Sequence, residues 1–393
     1  MNATLRSLVP KLALSLACTA VLGACRATPE WGRPLEEGAP ALLPLGWGDS
    51  FPDVSQDWEE RDDLLASLDL SIQWTRRKSS EAFFPIAGIT HARALASLER
   101  FRELLETSYG PEEFQRAVED EFVAYKSAGW DGRGGGVLFT AYCTPILEGS
   151  LTHEPGYDSP LYALPPDLVK GPHGEVLGWE TSLGRVSTYP SRGAIEAGAL
   201  LAGRGLELVW LRDPIDAYIA HVNGSAFVRL TDGSMLRLGY AGKNGRTYRS
   251  LGKALEADGK IPRGQASLPA IRAWAANASP DELAEYLNRN ESYVFFTPIE
   301  GNPHGSLDVE VSAGRSIATD KTLFPRGALV YVEADPEQAR SGAPVNRIYL
   351  DQDTGGAIRT AGRADLYLGV GEEAEAVAGR TKIEGQLYYL FLE

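Results

Sequence analysis

The spacing of apolar residues divides the chain into stretches of different texture. In "HARALASLERFRELLETSY" and "PEEFQRAVEDEFVAYKSA" they recur every three or four positions, which predicts two amphipathic helices, Ala92 to Tyr109 and Pro111 to Ala128. A glycine cluster, "GWDGRGGG", closes that region. "VLFTAYCTPILEG" is then β-branched and aromatic, and reads as a strand from Val137 to Gly149 interrupted by Pro145. From about Ser150 to Arg246 short alternating runs dominate. They include a hairpin in "GSAFVRLTDGSMLRLGYAG", turning at Thr231, Asp232 and Gly233, and one helix in "SRGAIEAGALLAG". Two helices follow, "SLPAIRAWAANA" and "SPDELAEYLNRN". The second has Ser279 at N-cap, Pro280 at N1 and Glu282 at N3, a capping box. Beyond Ser292 the runs "SYVFFTPIEG", "DVEVSAGRSIATD", "ALVYVEAD", "VNRIYLDQD", "ADLYLGVG" and "QLYYLFLE" predict six short strands with glycine or proline turns, which suggests a closed barrel.

The first residues follow a different pattern. "MNATLRSLVPKLALSLACTAVLGAC" sets Arg6 and Lys11 before or within an apolar stretch too short for an ordinary spanning helix, as in a bacterial export signal. Leu22, Gly23, Ala24 and Cys25 match a lipobox, so residues 1–24 are expected to be removed and Cys25 to carry lipid; cleavage near Ala24 as an ordinary signal peptide is the alternative. Arg26 stands where inner-membrane lipoproteins usually have aspartate, which favours the outer membrane, facing the periplasm. Residues 25–75, rich in Pro, Gly, Asp and Glu, read as a tether, with globular structure starting near Leu68.

Composition narrows the choice of function. The 393 residues are 44% hydrophobic, enough for a substantial core, and 42 glycines and 24 prolines suit a turn-rich β protein. The formal charge is −15, and loss of Arg6 and Lys11 with the leader makes it −17, which argues against nucleic acid as a partner. With Cys18 in the leader and Cys25 lipidated, Cys143 is the remaining cysteine, so the mature chain has no intramolecular disulfide.

Nucleophile and metal motifs are poorly represented. None of His91, His153, His173, His221 and His304 sits in a nucleophile-elbow context, and there is no G-x-S-x-G and no H-E-x-x-H. His91 and His221 read as helix or strand surface residues, and no metal or cofactor is expected. "GRGGG" lacks the Lys-Ser/Thr of a phosphate loop. Carboxylates remain. In "YLDQDTGGAIRTAGRADLYLGVG", Asp351, Asp353 and Asp365 bracket a glycine-rich stretch that lets backbone come close to a ligand, although on residue types alone turn-capping aspartates are the commoner reading.

Asp353, Gly355, Gly356, Ala357, Ile358, Asp365, Tyr367, Gly369 and Gly371 together resemble the C-terminal three-aspartate signature of the membrane-bound lytic murein transglycosylase A family. "GRSIATDKTLFPRGALVYV", with Asp320, resembles an earlier strand of the same barrel. Upstream, "FTAYCTP", "YPSRGAIEAGAL", "IDAYIAHVNGS" and "LGYAGKNGRTYRSLGKAL" resemble further family segments, in the family's order. Ala141, Cys143, Asn223 and Ala226 depart from the family pattern at positions that line its groove or insert.

The resemblance implies a mainly β fold with some helices: a double-psi β-barrel formed by residues 76–149 and 247–393, with a second β-rich, substrate-binding domain, 150–246, inserted. It implies a lytic transglycosylase whose partners are peptidoglycan glycan strands lying between the two domains, with other cell-wall enzymes as candidate partners. Asp365 matches the family's catalytic aspartate. Asp353, Asp320, Tyr142, Thr144, Thr140, Gly355 and Gly356 are expected to support it or bind substrate, with Tyr142 and Thr144 facing the groove. A water-using muramidase on the same barrel and a peptidoglycan-binding lipoprotein are the alternatives.

Overall fold

A computed structural model of the chain describes residues 29–171, 176–181, 183–335, 337 and 341–393. The leader, the lipobox with Cys25, and His173 lie outside them. Strand-forming runs in the C-terminal third do build a barrel. Its ring runs Val137–Thr144, Ile383–Leu392, Leu329–Ala334, Arg347–Asp353, Ser316–Ala318 and Arg363–Val370, and closes because Val137–Thr144 pairs with both Arg363–Val370 and Ile383–Leu392. Two of the pairings are parallel: Ser316–Ala318 with Arg347–Asp353, and Val137–Thr144 with Arg363–Val370. The interior is filled by Val137, Phe139, Val330, Tyr349, Leu366, Leu387 and Tyr389, all fully buried. Each such side chain contributes about 1.5–3 kcal/mol by leaving water. Of the run "DVEVSAGRSIATD" only Ser316–Ala318 is a strand; the rest turns, with Asp308 and Gly314 at positive φ.

The expected tether is largely folded. Leu42–Pro44 pairs with Phe122–Ser127, and Ser55–Glu59 and Arg61–Thr75 are helices. The reason is a helical stripe of Leu64, Leu68 and Ile72, buried against Phe101, Leu105 and Phe114 and the barrel residues Ile348 and Leu350. Asp57 fixes the first helix to the barrel, accepting from Arg315 Nη1 at 2.5 Å and from the Ile348 amide at 2.9 Å, with both side chains buried. The helix from Pro111 also ends early, at Glu121. "FVAYKS" continues as a strand, because its alternating apolar residues pair with the C-terminal strand.

Pro145 marks where the chain leaves the barrel for a second sheet. That sheet has six strands: Val294–Pro298, Met235–Lys243, Ala226–Leu230, Ile146–Ser150, Glu207–Leu211 and Ser159–Tyr162. The helix Pro214–Asn223 packs Ala217 and Ala220 on it. The hairpin turns at Gly233, whose φ of 85° is one that favours glycine. Val294–Pro298, expected in the barrel, belongs to this sheet, paired antiparallel to Met235–Lys243 and bridged at Phe296 to Ala163, just past Ser159–Tyr162 at the sheet's other end. The helices Leu251–Ala257, Leu268–Ala275 and Pro280–Asn288 pack on the same unit through Ile215, Tyr218 and Ile219. The excursion from the barrel therefore runs to about residue 298, past the expected end at 246. Ser279 caps the last of these helices, its Oγ accepting from the Glu282 amide at 3.2 Å.

Candidate active site

The alternation of two neighbouring barrel strands builds the site. On Val137–Thr144, Val137 and Phe139 point into the core, leaving Thr140, Tyr142 and Thr144 on the other face. On Arg363–Val370, Ala364 and Leu366 fill the core, leaving Arg363, Asp365 and Tyr367 outward. The parallel register sets Thr140 beside Asp365 and Tyr142 beside Tyr367. Thr140 Oγ1 donates to Asp365 Oδ1 at 2.8 Å, and the rings of Tyr142 and Tyr367 lie 5.1 Å apart.

The four aspartates of the region have different environments. Asp351 is wholly buried in the barrel, where Lys321, Thr319 and Tyr389 satisfy its oxygens; it is a core group. Asp320 is buried too, which by itself would raise its pKa. Hydrogen bonds from Thr322 Oγ1 (2.7 Å) and the Thr360 amide (2.9 Å), with Arg359 nearby, outweigh that and keep it below the usual carboxylate range. Asp353 is pushed up by burial, but its oxygens are occupied: Tyr142 OH donates at 2.6 Å, the Ser306 amide at 2.9 Å and the Thr354 amide at 2.8 Å.

Of these four, Asp365 combines a raised pKa with an oxygen that has no hydrogen-bond partner among the described residues. It keeps part of its surface open, yet enough protein surrounds it that burial pushes its carboxyl up to about 6, against the Thr140 bond and the Arg363 charge, with a small upward contribution from Asp353. Among the described residues its side-chain hydrogen bond is the one from Thr140, to Oδ1. Tyr248, in the loop that follows Met235–Lys243, has its hydroxyl pushed up chiefly by burial, with a smaller contribution from the Asp365 charge. The Gly356 loop packs on Tyr248, at a distance where an added Cβ would make an ordinary contact, 3.4 Å from Tyr248 Cβ.

Comparison with known proteins matches both parts of this arrangement. Residues 138–297 match the family model of the MltA specific insert domain, and residues 315–391 match the 3D domain. Membrane-bound lytic murein transglycosylase A of Vibrio cholerae is 34% identical over 272 residues, 67% of this chain and 68% of that protein. The chain belongs to the membrane-bound lytic murein transglycosylase A family. The Escherichia coli K12 member is 33% identical over 68% of each chain. Among solved structures, a membrane-bound lytic murein transglycosylase from Agrobacterium tumefaciens superposes with a TM-score of 0.74 at 28% identity, covering 90% of this chain and 98% of its own. Escherichia coli MltA with bound chitohexaose gives 0.65 at 25% identity, over 93% and 97%.

Within this family member several expected positions lie elsewhere than the sequence suggested. Thr144 does not face a groove: it is fully buried, its hydroxyl 3.0 Å from Ser225 Oγ and 3.1 Å from Tyr367 OH. Cys143 and Ala226 are core residues, and Asn223 bonds its own helix at Ile219 O, 3.1 Å away. Gly355 packs on Ile358 and Gly356 on Tyr248, neither at positive φ. His221 is not a surface residue. It is buried against Tyr293 and Phe296, with Nδ1 2.8 Å from Arg192 Nη1, and burial holds its pKa well below the ordinary value. His91 is tied at 2.8 Å to Thr75 O. Arg363, Tyr248 and Ser306 were not among the residues singled out from sequence. Arg363 alone had a signal there, two positions before Asp365 on a strand and hence on its face.

Proposed function

We propose that this chain is a lytic transglycosylase that cleaves the β-1,4 bond between MurNAc and GlcNAc of peptidoglycan without water, Asp365 acting first as acid and then as base. The observation that carries the reading is the environment of Asp365: it is the one aspartate of the four with a pKa near neutrality, an oxygen without a hydrogen-bond partner among the described residues, and access to solvent. Protonated, it donates to the bridging oxygen as the sugar becomes oxocarbenium-like. As carboxylate it then takes the proton of the same sugar's C6 hydroxyl, which closes on C1 and leaves a 1,6-anhydromuramyl end. Because the nucleophile belongs to the substrate, one carboxylate suffices. The hydrogen-bonded oxygens of Asp353 and Asp320 suit them to holding the loops rather than to proton transfer.

The chitohexaose held by the Escherichia coli relative supports a glycan chain as ligand; the position of Asp365 would have it run between barrel and inserted unit, past Tyr142. The relatives' description as membrane-bound fits an anchor at Cys25, in the outer membrane and facing the periplasm. No helix among the described residues is long and apolar enough to cross a membrane. The test is a mass spectrum of the products from purified sacculi. Anhydromuramyl ends are expected; reducing-end MurNAc would point to water as nucleophile, and no soluble product to a binding protein.

A further inference from the structure

Arg363 precedes Asp365 by two residues on one strand, so both side chains leave the same face. Its Nη2 donates to Thr140 Oγ1 at 3.1 Å, and Thr140 Oγ1 lies 2.8 Å from Asp365 Oδ1. The direction of this chain is fixed by chemistry. A guanidinium has donors only and stays protonated, so the threonine oxygen must accept from it. The threonine proton is then directed to Oδ1. An oxygen that receives such a bond takes the carbonyl role in a carboxylic acid, which leaves the acidic proton on Oδ2, the oxygen without a hydrogen-bond partner among the described residues.

Little else explains a guanidinium here. Among the described residues its side-chain hydrogen bond is the one to Thr140, and its Nε is buried with no partner. A partly buried cation without full compensation costs free energy, so a packing role alone would be served as well by an apolar side chain. The charged and titratable groups around Asp365 are Tyr142 and Cys143 from Val137–Thr144, Asp353 from the end of Arg347–Asp353, Tyr248 from the inserted unit, and Arg363 itself. Arg363 is the cation among them.

We propose that Arg363 is a positioning residue which, through Thr140, fixes Asp365 in one rotamer with its transferable proton on Oδ2. The proposal rests on Asp365 being the acid. In the first step the relay presents Oδ2–H to the leaving oxygen. In the second it stabilises the carboxylate while Oδ2 takes the C6 hydroxyl proton.

The test is steady-state kinetics and pH profiles on soluble glycan strands for Arg363→Met, Arg363→Lys, Thr140→Val, Thr140→Ser and the Arg363→Met/Thr140→Val double variant, with folding followed by circular dichroism. Arg363→Met should lower kcat about tenfold, leave KM within about twofold, and move the alkaline limb to higher pH, because a cation that favours the carboxylate is gone. Arg363→Lys should recover part of both effects. If the arginine acts through the threonine, the double variant should be no more than about twofold slower in kcat than the slower single variant. An unchanged kcat and limb in Arg363→Met, a rise in KM alone, or kcat losses that multiply in the double variant would overturn the proposal. Should Arg363→Met fail to fold, the threonine pair decides: Thr140→Ser near the wild-type rate with Thr140→Val slow supports the relay, and equal rates refute it. Asp365→Asn is measured alongside; if it stays active the parent reading fails, whereas an inactive Asp365→Asn with an unaffected Arg363→Met sinks the relay alone.

Discussion

Cys143 occupies a site strand next to Tyr142, which invites a thiol mechanism, but its surroundings oppose one. Burial, reinforced by the Glu375 and Asp365 charges, pushes the thiol up to about 12, so the thiolate is scarcely populated at neutral pH. Cys143→Ser should therefore keep most activity on sacculi, and complete loss in a folded variant would contradict the carboxylate mechanism. Asp353 acts in the opposite sense, because its negative charge helps hold the proton on Asp365. Asp353→Asn should lower the Asp365 pKa, so that the acid form is lost at lower pH and the alkaline limb of the rate profile shifts down. A limb that stays put would mean that burial alone sets the acidity. Asp365 stands out in the sequence because the glycine-flanked motif around it resembles the family's signature; on residue types alone it reads as a turn cap. Its partners could not be found in that way: Thr140 and Arg363 meet although 223 positions separate them, and that requires the parallel pairing of two strands.

At the level of elements, the longer barrel strands were readable because they carry β-branched and aromatic residues between turn signals, whereas Ser316–Ala318, three residues without an aromatic, was not delimited. The strand broken at Pro145 was readable for the same reason. What sequence misassigned were segments whose fate depends on a distant partner. Val294–Pro298 has the composition of any barrel strand, and only its pairing with Met235–Lys243 assigns it to the inserted sheet. The acidic, proline-rich stretch before residue 76 resembles a tether because its helical stripe is short and its buried anchor is a charge, Asp57, paired with Arg315 far along the chain. Leu64 tests this. It is fully buried, so Leu64→Ala should destabilise the protein by about 2–5 kcal/mol, read from urea unfolding. A tether would leave the midpoint unchanged.

For the whole molecule, a strongly acidic protein is expected to reach the cell wall through an anchor rather than through attraction to the wall's own carboxylates. If Cys25 is lipidated, Cys25→Ser should move the protein from the membrane pellet to the soluble periplasmic fraction, and a variant that still pellets would refute the lipobox. In the proposed mechanism the barrel strand Arg363–Val370 supplies the acid, and Tyr248 of the inserted unit feels its charge. That account depends on Asp365 more than on any other residue. The most direct measurement is the rate at which purified Asp365→Asn releases anhydromuropeptides from sacculi, with folding checked by circular dichroism. The substitution keeps the size and the bond from Thr140 while removing the transferable proton, so the rate should fall by about 10²–10⁴ or more with glycan binding retained; release near the wild-type rate would contradict the assignment.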